Sequence, residues 1–184
     1  MIIMNMATTW RHNYLINGLL LSFNQTMQKL YASDLTKMAK FATEEIALVY
    51  EGDLGEQCSR LIDISLIEDK EYFSTSTIDV LRFIQPDLFM FTYDNMYLTN
   101  EKETRVAGRP NLIVEVWSES NFEYERTCKR ELYSTSPITE HWYIEQDNNI
   151  MTCYKGKERL PDQNLMYDLK TNDGIIVNIS HLAL

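Results

Sequence analysis

A mixed α/β fold, a central mixed β-sheet flanked by helices, follows from three observations in the 184-residue sequence. Apolar side chains recur at helical spacing near the start. Several short apolar runs bounded by Pro, Gly, Asn and Asp read as strands. A second helical stretch separates two of those runs, giving the order helix, strands, helix, strands.

The elements follow in chain order. Thr8 or Thr9 can cap a helix, and Trp10, Tyr14, Leu15, Leu19, Phe23, Met27 and Leu30 then recur every three or four residues. The spacing predicts one long amphipathic helix over Thr9–Tyr31, its stripe turned to the core. A short helix is expected over Ser33–Phe41. EIALVYEGD reads as a strand running into a turn, and residues 53–80 give no single pattern. FIQPDLFMF predicts a strand over Leu88–Phe91, entered through Pro86. DNMYLTNEKETRVAGRP is expected to be a loop, and Asn111–Trp117 the next strand. SNFEYERTCKRELYSTS carries helix signals: Ser120 or Asn121 to cap, Glu123 and Glu125 early, Lys129 and Arg130 late. EHWYIEQ and NIMTCYK flank DNN as a hairpin, and GIIVNIS is a last strand.

Composition narrows the class. A 45% hydrophobic content suits one globular domain over residues 1–184. The three cysteines, Cys58, Cys128 and Cys153, are widely spaced with no CxxC pair, so neither a zinc site nor a disulfide framework is expected, and a reducing cytoplasm fits. No basic segment precedes an apolar stretch at the start, and YLINGLLLSF is too short to span a bilayer, so no membrane association is expected. A net charge of -10 argues against a surface that grips nucleic acid without specificity.

The chemistry centres on one anomaly. RPNLIVEVWSES, residues 109–120, places Glu115 inside a near-continuous apolar run. Such a run marks a strand covered on both faces, where an ionised carboxylate is costly without a cation or donors beside it. Asp87 follows Pro86 at the mouth of another strand. Taken alone, Pro-Asp more often serves a turn. Two adjacent strands could bring both carboxylates to one end of the sheet, about 4–6 Å apart, where they could hold a hard cation such as Mg²⁺. Phe122, Arg126, Lys129 and Tyr133 share one helix face. If that face packs inward, Phe122 is buried and Lys129 reaches the carboxylates. The plainer reading is a surface pair of Lys129 with Glu125 at i,i+4. His12 reads as a helix-surface histidine, His141 and His181 as structural, and Cys128 as helix packing.

The run from QPDLFMF to EHWYIEQ, within about residues 84–155, resembles the Uma2 (DUF820) family, restriction-endonuclease-like proteins of the PD-(D/E)XK nuclease superfamily. The resemblance rests on Pro86 and Asp87, then Gly108, Pro110, Leu112, Val114, Glu115, Val116 and Ser118. Glu125, Lys129, Tyr133 and Glu140-His141-Trp142 complete it. It implies a restriction-endonuclease-like fold and a metal-dependent endonuclease that hydrolyses phosphodiester bonds in nucleic acid, with DNA the expected substrate. Asp87, Glu115 and the Val116 carbonyl would hold Mg²⁺ (or Mn²⁺). Asp87, Glu115 and Lys129 would be catalytic, and a homodimer is expected. His12 falls at a family helix position. There are departures. Glu125 stands where the family has Asp, Glu119 replaces the Pro of Ser-Pro, and Trp117 stands where the superfamily's lysine would be, so Lys129 is expected to replace that lysine. The first-motif glutamate is unassigned, with Glu44 and Glu45 as candidates. The acidic balance and these departures keep an alternative open: a catalytically impaired nuclease-fold protein acting as a binding or assembly module.

Overall fold

The computed structural model describes residues 10–32, 40–43, 47–51, 81–91, 96–99, 105–108, 110–118, 121–172, 174–179 and 182. The apolar stripe near the start forms α1, Trp10–Tyr31. Leu15, Leu19, Phe23 and Met27 are buried, while Trp10 and Leu30 at its two ends are exposed. Gly18 brings α1 close to the chain's end: a Cβ there would meet Leu182 Cδ2 at 2.2 Å. That close approach explains a residue that otherwise weakens a helix interior.

The central sheet holds β1 (Lys40–Thr43), β4 (Leu88–Phe91), β7 (Leu112–Trp117), β8 (Glu140–Glu145), β9 (Ile150–Lys155) and β10 (Glu158–Arg159), side by side in that order. β11 (Gln163–Asn164) also pairs with β9. Among the described strands of this sheet, β7 and β8 are the one parallel pair, and α2 (Glu123–Ser134) is the crossover between them. A parallel pair needs such a crossover, so α2 must lie on one face of the sheet. Every residue of β7 is buried, as the apolar run requires of a strand covered twice. Its even-numbered side chains, Leu112, Val114 and Val116, pack with Leu15, Leu19 and Phe23 of α1 and with Trp142 and Ile144 of β8. The Phe23 and Trp142 rings lie 5.7 Å apart in that layer. Ile113, Glu115 and Trp117 therefore face the opposite layer, where α2 sits.

A second sheet is ordered β3 (Leu81–Ile84), β2 (Ala47–Glu51), β6 (Arg105–Gly108), β5 (Met96–Thr99). β5 and β6 correct the loop expected between Asp94 and Pro110. Each strand is four residues long with little alternation, and β6 is held by parallel pairing to the distant β2. Residues 40–43 are extended and pair with β4 rather than ending a helix; 33–39, 44–46 and 52–80 lie outside the described residues. The expected last strand is reduced to Ile176–Val177, β13, paired with β12 (Leu169–Lys170) away from the central sheet.

α2 departs from its expected boundaries. Its N-cap is Phe122, in extended conformation and without a side-chain cap. The Asn121 carboxamide oxygen instead accepts the Ser118 backbone N–H at 2.8 Å. Standing outside the helix, Phe122 is 66% exposed, which corrects its expected burial against the sheet. Glu123 and Glu125 occupy the first turn as the dipole favours, but no basic residue reaches the last turn because the helix continues to Ser134. Cys128 is buried, as expected of helix packing, and is also disulfide-bonded. Cys153 is a free, buried thiol. Among the described residues no helix is long and apolar enough to cross a membrane.

Candidate active site

The strand register brings Asp87 to Glu115. β4 and β7 are antiparallel with Leu88 opposite Val114, so one step further sets Asp87 opposite Glu115. Asp87 occupies the bend just before β4, at the end of the sheet, where its carboxylate reaches two elements. Oδ2 accepts the backbone N–H of Val116 at 2.6 Å, and Oδ1 lies 3.2 Å from His12 Nε2 on α1. Both acids are buried, Asp87 to 2% and Glu115 to 1% exposure.

Glu115 is the anomaly of the sequence, and its neighbours explain how the fold tolerates it. Lys129 Nζ donates to Oε2 at 2.8 Å, and the Tyr133 hydroxyl donates to Oε1. Lys129 and Tyr133 stand four apart on α2, so one inward helix face delivers both donors. The plainer reading of Lys129, a surface pair with Glu125, is secondary: that contact is 3.8 Å, and the lysine side chain is only 17% exposed.

Electrostatics follow from burial. Loss of water pushes the Glu115 carboxyl up to about 7, and the Asp87 charge adds to the rise against the pull of Lys129 and the hydrogen bonds from Lys129 and Tyr133. Burial opposes the charge on Lys129, but Glu115 and Asp87 together outweigh it and hold its pKa above the ordinary lysine value. Burial, then the Glu115 charge, drives Tyr133 well above the usual tyrosine range, so it remains a donor. The cluster thus holds two carboxyl groups against one firmly cationic lysine.

Two residues exceed their sequence reading. His12, read as a surface histidine, is buried and faces Asp87; its match to a family helix position was the signal that pointed to it. Tyr133 was placed on the shared face without a role and proves to hold Glu115. His141 is structural, as expected: Nδ1 pairs with the Tyr143 hydroxyl at 2.7 Å and Nε2 with the Gly156 carbonyl at 2.9 Å, and burial lowers its pKa to about 4. Glu140 is structural too. Its Oε1 accepts the Trp142 indole N–H at 2.7 Å and its Oε2 the Asn172 backbone N–H at 2.7 Å. Glu44, Glu45, Cys58, Glu119 and His181 lie outside the described residues.

The donor set suits a hard cation. Two buried carboxylates and the Val116 carbonyl offer oxygen atoms, the donor type such a cation takes, and each carboxylate oxygen can accept at a second lone pair. Among the described residues no group of three or more His, Cys, Asp or Glu side chains is spaced to hold a metal ion. Mg²⁺ needs no such cage, since it commonly takes one or two carboxylates and keeps several waters.

A mixed sheet with helices on both faces, and an acid pair at one end beside a helix-borne lysine, defines a restriction-endonuclease-like α/β protein. The same fold occurs in a solved structure, "a putative nuclease belonging to DUF820 from Anabaena variabilis ATCC 29413", with a TM-score of 0.61 and 10% identity, over 99% of this chain and 87% of that one. The model of the Uma2 family, described as "Putative restriction endonuclease", matches residues 49–172. The chain belongs to the Uma2 family. A search of curated proteins gives no match.

Proposed function

We propose that the protein is a metal-dependent endonuclease that hydrolyses phosphodiester bonds in nucleic acid, DNA being the expected substrate, through one nuclease domain spanning residues 1–184. The observation that carries this is the meeting of Asp87 and Glu115, both buried, at one end of adjacent strands with Lys129 on Glu115. The residues that would hold Mg²⁺ or Mn²⁺ are Asp87, Glu115 and the Val116 carbonyl. A divalent cation there supplies Lewis-acid charge beside the phosphodiester and eases loss of a proton from water. The chain's own part is positional and electrostatic. Val116 N–H fixes the Asp87 carboxylate, and His12 lies beside its other oxygen. Tyr133 fixes one oxygen of Glu115. Lys129 keeps its charge in the buried cluster and stands where it can orient the attacking water or face the charge that develops on phosphorus oxygens.

Supercoiled plasmid incubated with Mg²⁺ or Mn²⁺ tests the reading. Cleavage is expected from the parent and lost in Asp87→Asn and Glu115→Gln. A folded parent that neither cleaves DNA or RNA nor binds Mn²⁺ in calorimetry would overturn it. A two-fold dimer, the commonest assembly, would let two sites act on two strands; light scattering at several concentrations checks it. Cytoplasmic placement rests on this activity rather than on the cysteines. One observation favours the alternative of an inactive binding or assembly module: both Glu115 oxygens already have donors. Under that reading Mn²⁺ does not bind, and Glu115→Gln leaves partner binding intact.

A further inference from the structure

Beside Lys129, α2 carries a second group of side chains that the hydrolytic chemistry does not use. Trp117 stands two residues beyond Glu115 on the same face of β7. It is buried and stacks on Tyr143 of β8, with ring centroids 4.4 Å apart. Two guanidinium groups from α2 lie over its ring, those of Arg126 and Arg130, each 4.9 Å from the centroid. Arg130 also lies 5.7 Å from the Tyr143 ring centroid.

The two arginines differ in their other commitments. Arg126 is 13% exposed and donates to Glu145 Oε1 at 2.9 Å and to the Ser118 carbonyl at 2.5 Å. Those bonds tie α2 to the ends of β7 and β8. Arg130 is 38% exposed, and among the described residues its ion pair is with exposed Glu123 at 3.6 Å. A contact of that length and exposure is worth little. The aromatic pair therefore holds the Arg130 guanidinium in place while leaving its N–H donors to the solvent side.

We propose that Arg130, seated on the Trp117–Tyr143 pair, binds a backbone phosphate of the nucleic-acid strand whose scissile bond lies at the Glu115 site. The inference rests on the nuclease reading above. Lys129, held beside Glu115 at 2.8 Å, is placed for the reacting phosphate rather than a neighbouring one. A planar guanidinium matches two phosphate oxygens at once, and its charge does not titrate. Trp117 lies two residues from Glu115 on one face of β7, about 6.6 Å along the strand, so Arg130 addresses a phosphate near the cleaved bond rather than a remote one. A chain of net charge -10 needs such a fixed local cation to bring a polyanion against two carboxyl groups.

The test is binding of a short labelled DNA duplex in Ca²⁺, chosen to hold cleavage back, across a series of salt concentrations. Arg130→Gln is expected to weaken binding about tenfold, the scale of one charge-assisted contact. It should also reduce the slope of log affinity against log salt by about 0.9. Arg130→Lys should keep most of the slope because the charge remains. In Mg²⁺, Arg130→Gln should raise KM more than it lowers kcat. Arg159→Gln removes an equal charge, 61% exposed and paired with Asp162, and should change neither affinity nor slope. An Arg130→Gln protein with the parent's affinity and slope would overturn the inference while leaving the nuclease reading standing. An equal loss in Arg159→Gln would overturn it as well. A parent that binds no duplex in any divalent cation would remove both.

Discussion

Removing Lys129 separates chemistry from architecture, and Lys129→Met is the sharpest form of the perturbation because it keeps the apolar stem. The lysine is 17% exposed and its partner Glu115 is 1% exposed, so the pair at 2.8 Å is a buried one. Breaking such a pair ordinarily costs about 3–5 kcal/mol because a charge is stranded. Here the stranded charge has an exit. The Glu115 carboxyl already sits up at about 7, so at neutral pH it takes up a proton at little cost once the lysine is gone. Tyr133 still satisfies one oxygen. The stability loss should therefore be about 2 kcal/mol, within the scale of one charge-assisted hydrogen bond. Cleavage should fall about 100-fold or more, the scale of losing a positioned electrostatic or proton-transfer group. Urea denaturation reads the first quantity, and single-turnover cleavage in saturating Mg²⁺ reads the second. A Lys129→Met protein that cleaves like the parent refutes the assignment. A loss of 3–5 kcal/mol refutes the argument that proton uptake relieves Glu115.

Three further outcomes follow, two from the same cluster and one from Glu140 outside it. The native Glu115 carboxyl, raised from 4.5 to about 7, holds its proton more tightly than the unfolded chain does. Its contribution to stability is full below pH 4.5 and is lost as pH rises toward 7, about 3 kcal/mol across that window; metal-free Glu115→Gln should flatten that slope in denaturation at several pH values, and an unchanged slope would contradict it. Tyr133→Phe removes a buried donor to Glu115 and should cost about 1–3 kcal/mol. It should also move the acid limb of the cleavage profile to higher pH, whereas a limb that stays put would show that Tyr133 does not tune Glu115. Glu140→Ala strands the buried Trp142 indole N–H, so the melting curve should report a loss of about 2 kcal/mol; cleavage per folded molecule should be unchanged, and a selective loss of rate would give Glu140 a chemical role it lacks here.

The sequence by itself determined the elements whose signals are local. The 3.6-residue period of Leu15, Leu19, Phe23 and Met27 set α1, the unbroken apolar run set β7 as a strand covered on both faces, and DNN set the turn between β8 and β9. It also singled out Glu115, because an acid within an apolar run is costly enough to need a reason, whereas Asp87 and Lys129 stood out only through the resemblance to the Uma2 pattern. Tertiary structure decided what depends on partners distant in the chain. β5 and β6 carry weak patterns and exist through pairing, with β6 held by β2 more than fifty residues earlier. Rotation of α1 against the sheet took His12 from a surface reading to a buried place beside Asp87. A start at Glu123 left Phe122 outside its helix and exposed. Lys129 had an acid available at i,i+4 and another fourteen residues back on β7, and no local pattern ranks them. Burial ranks them: the charge on Glu115 has no water to satisfy it, so the lysine lies 2.8 Å from Glu115 and 3.8 Å from Glu125.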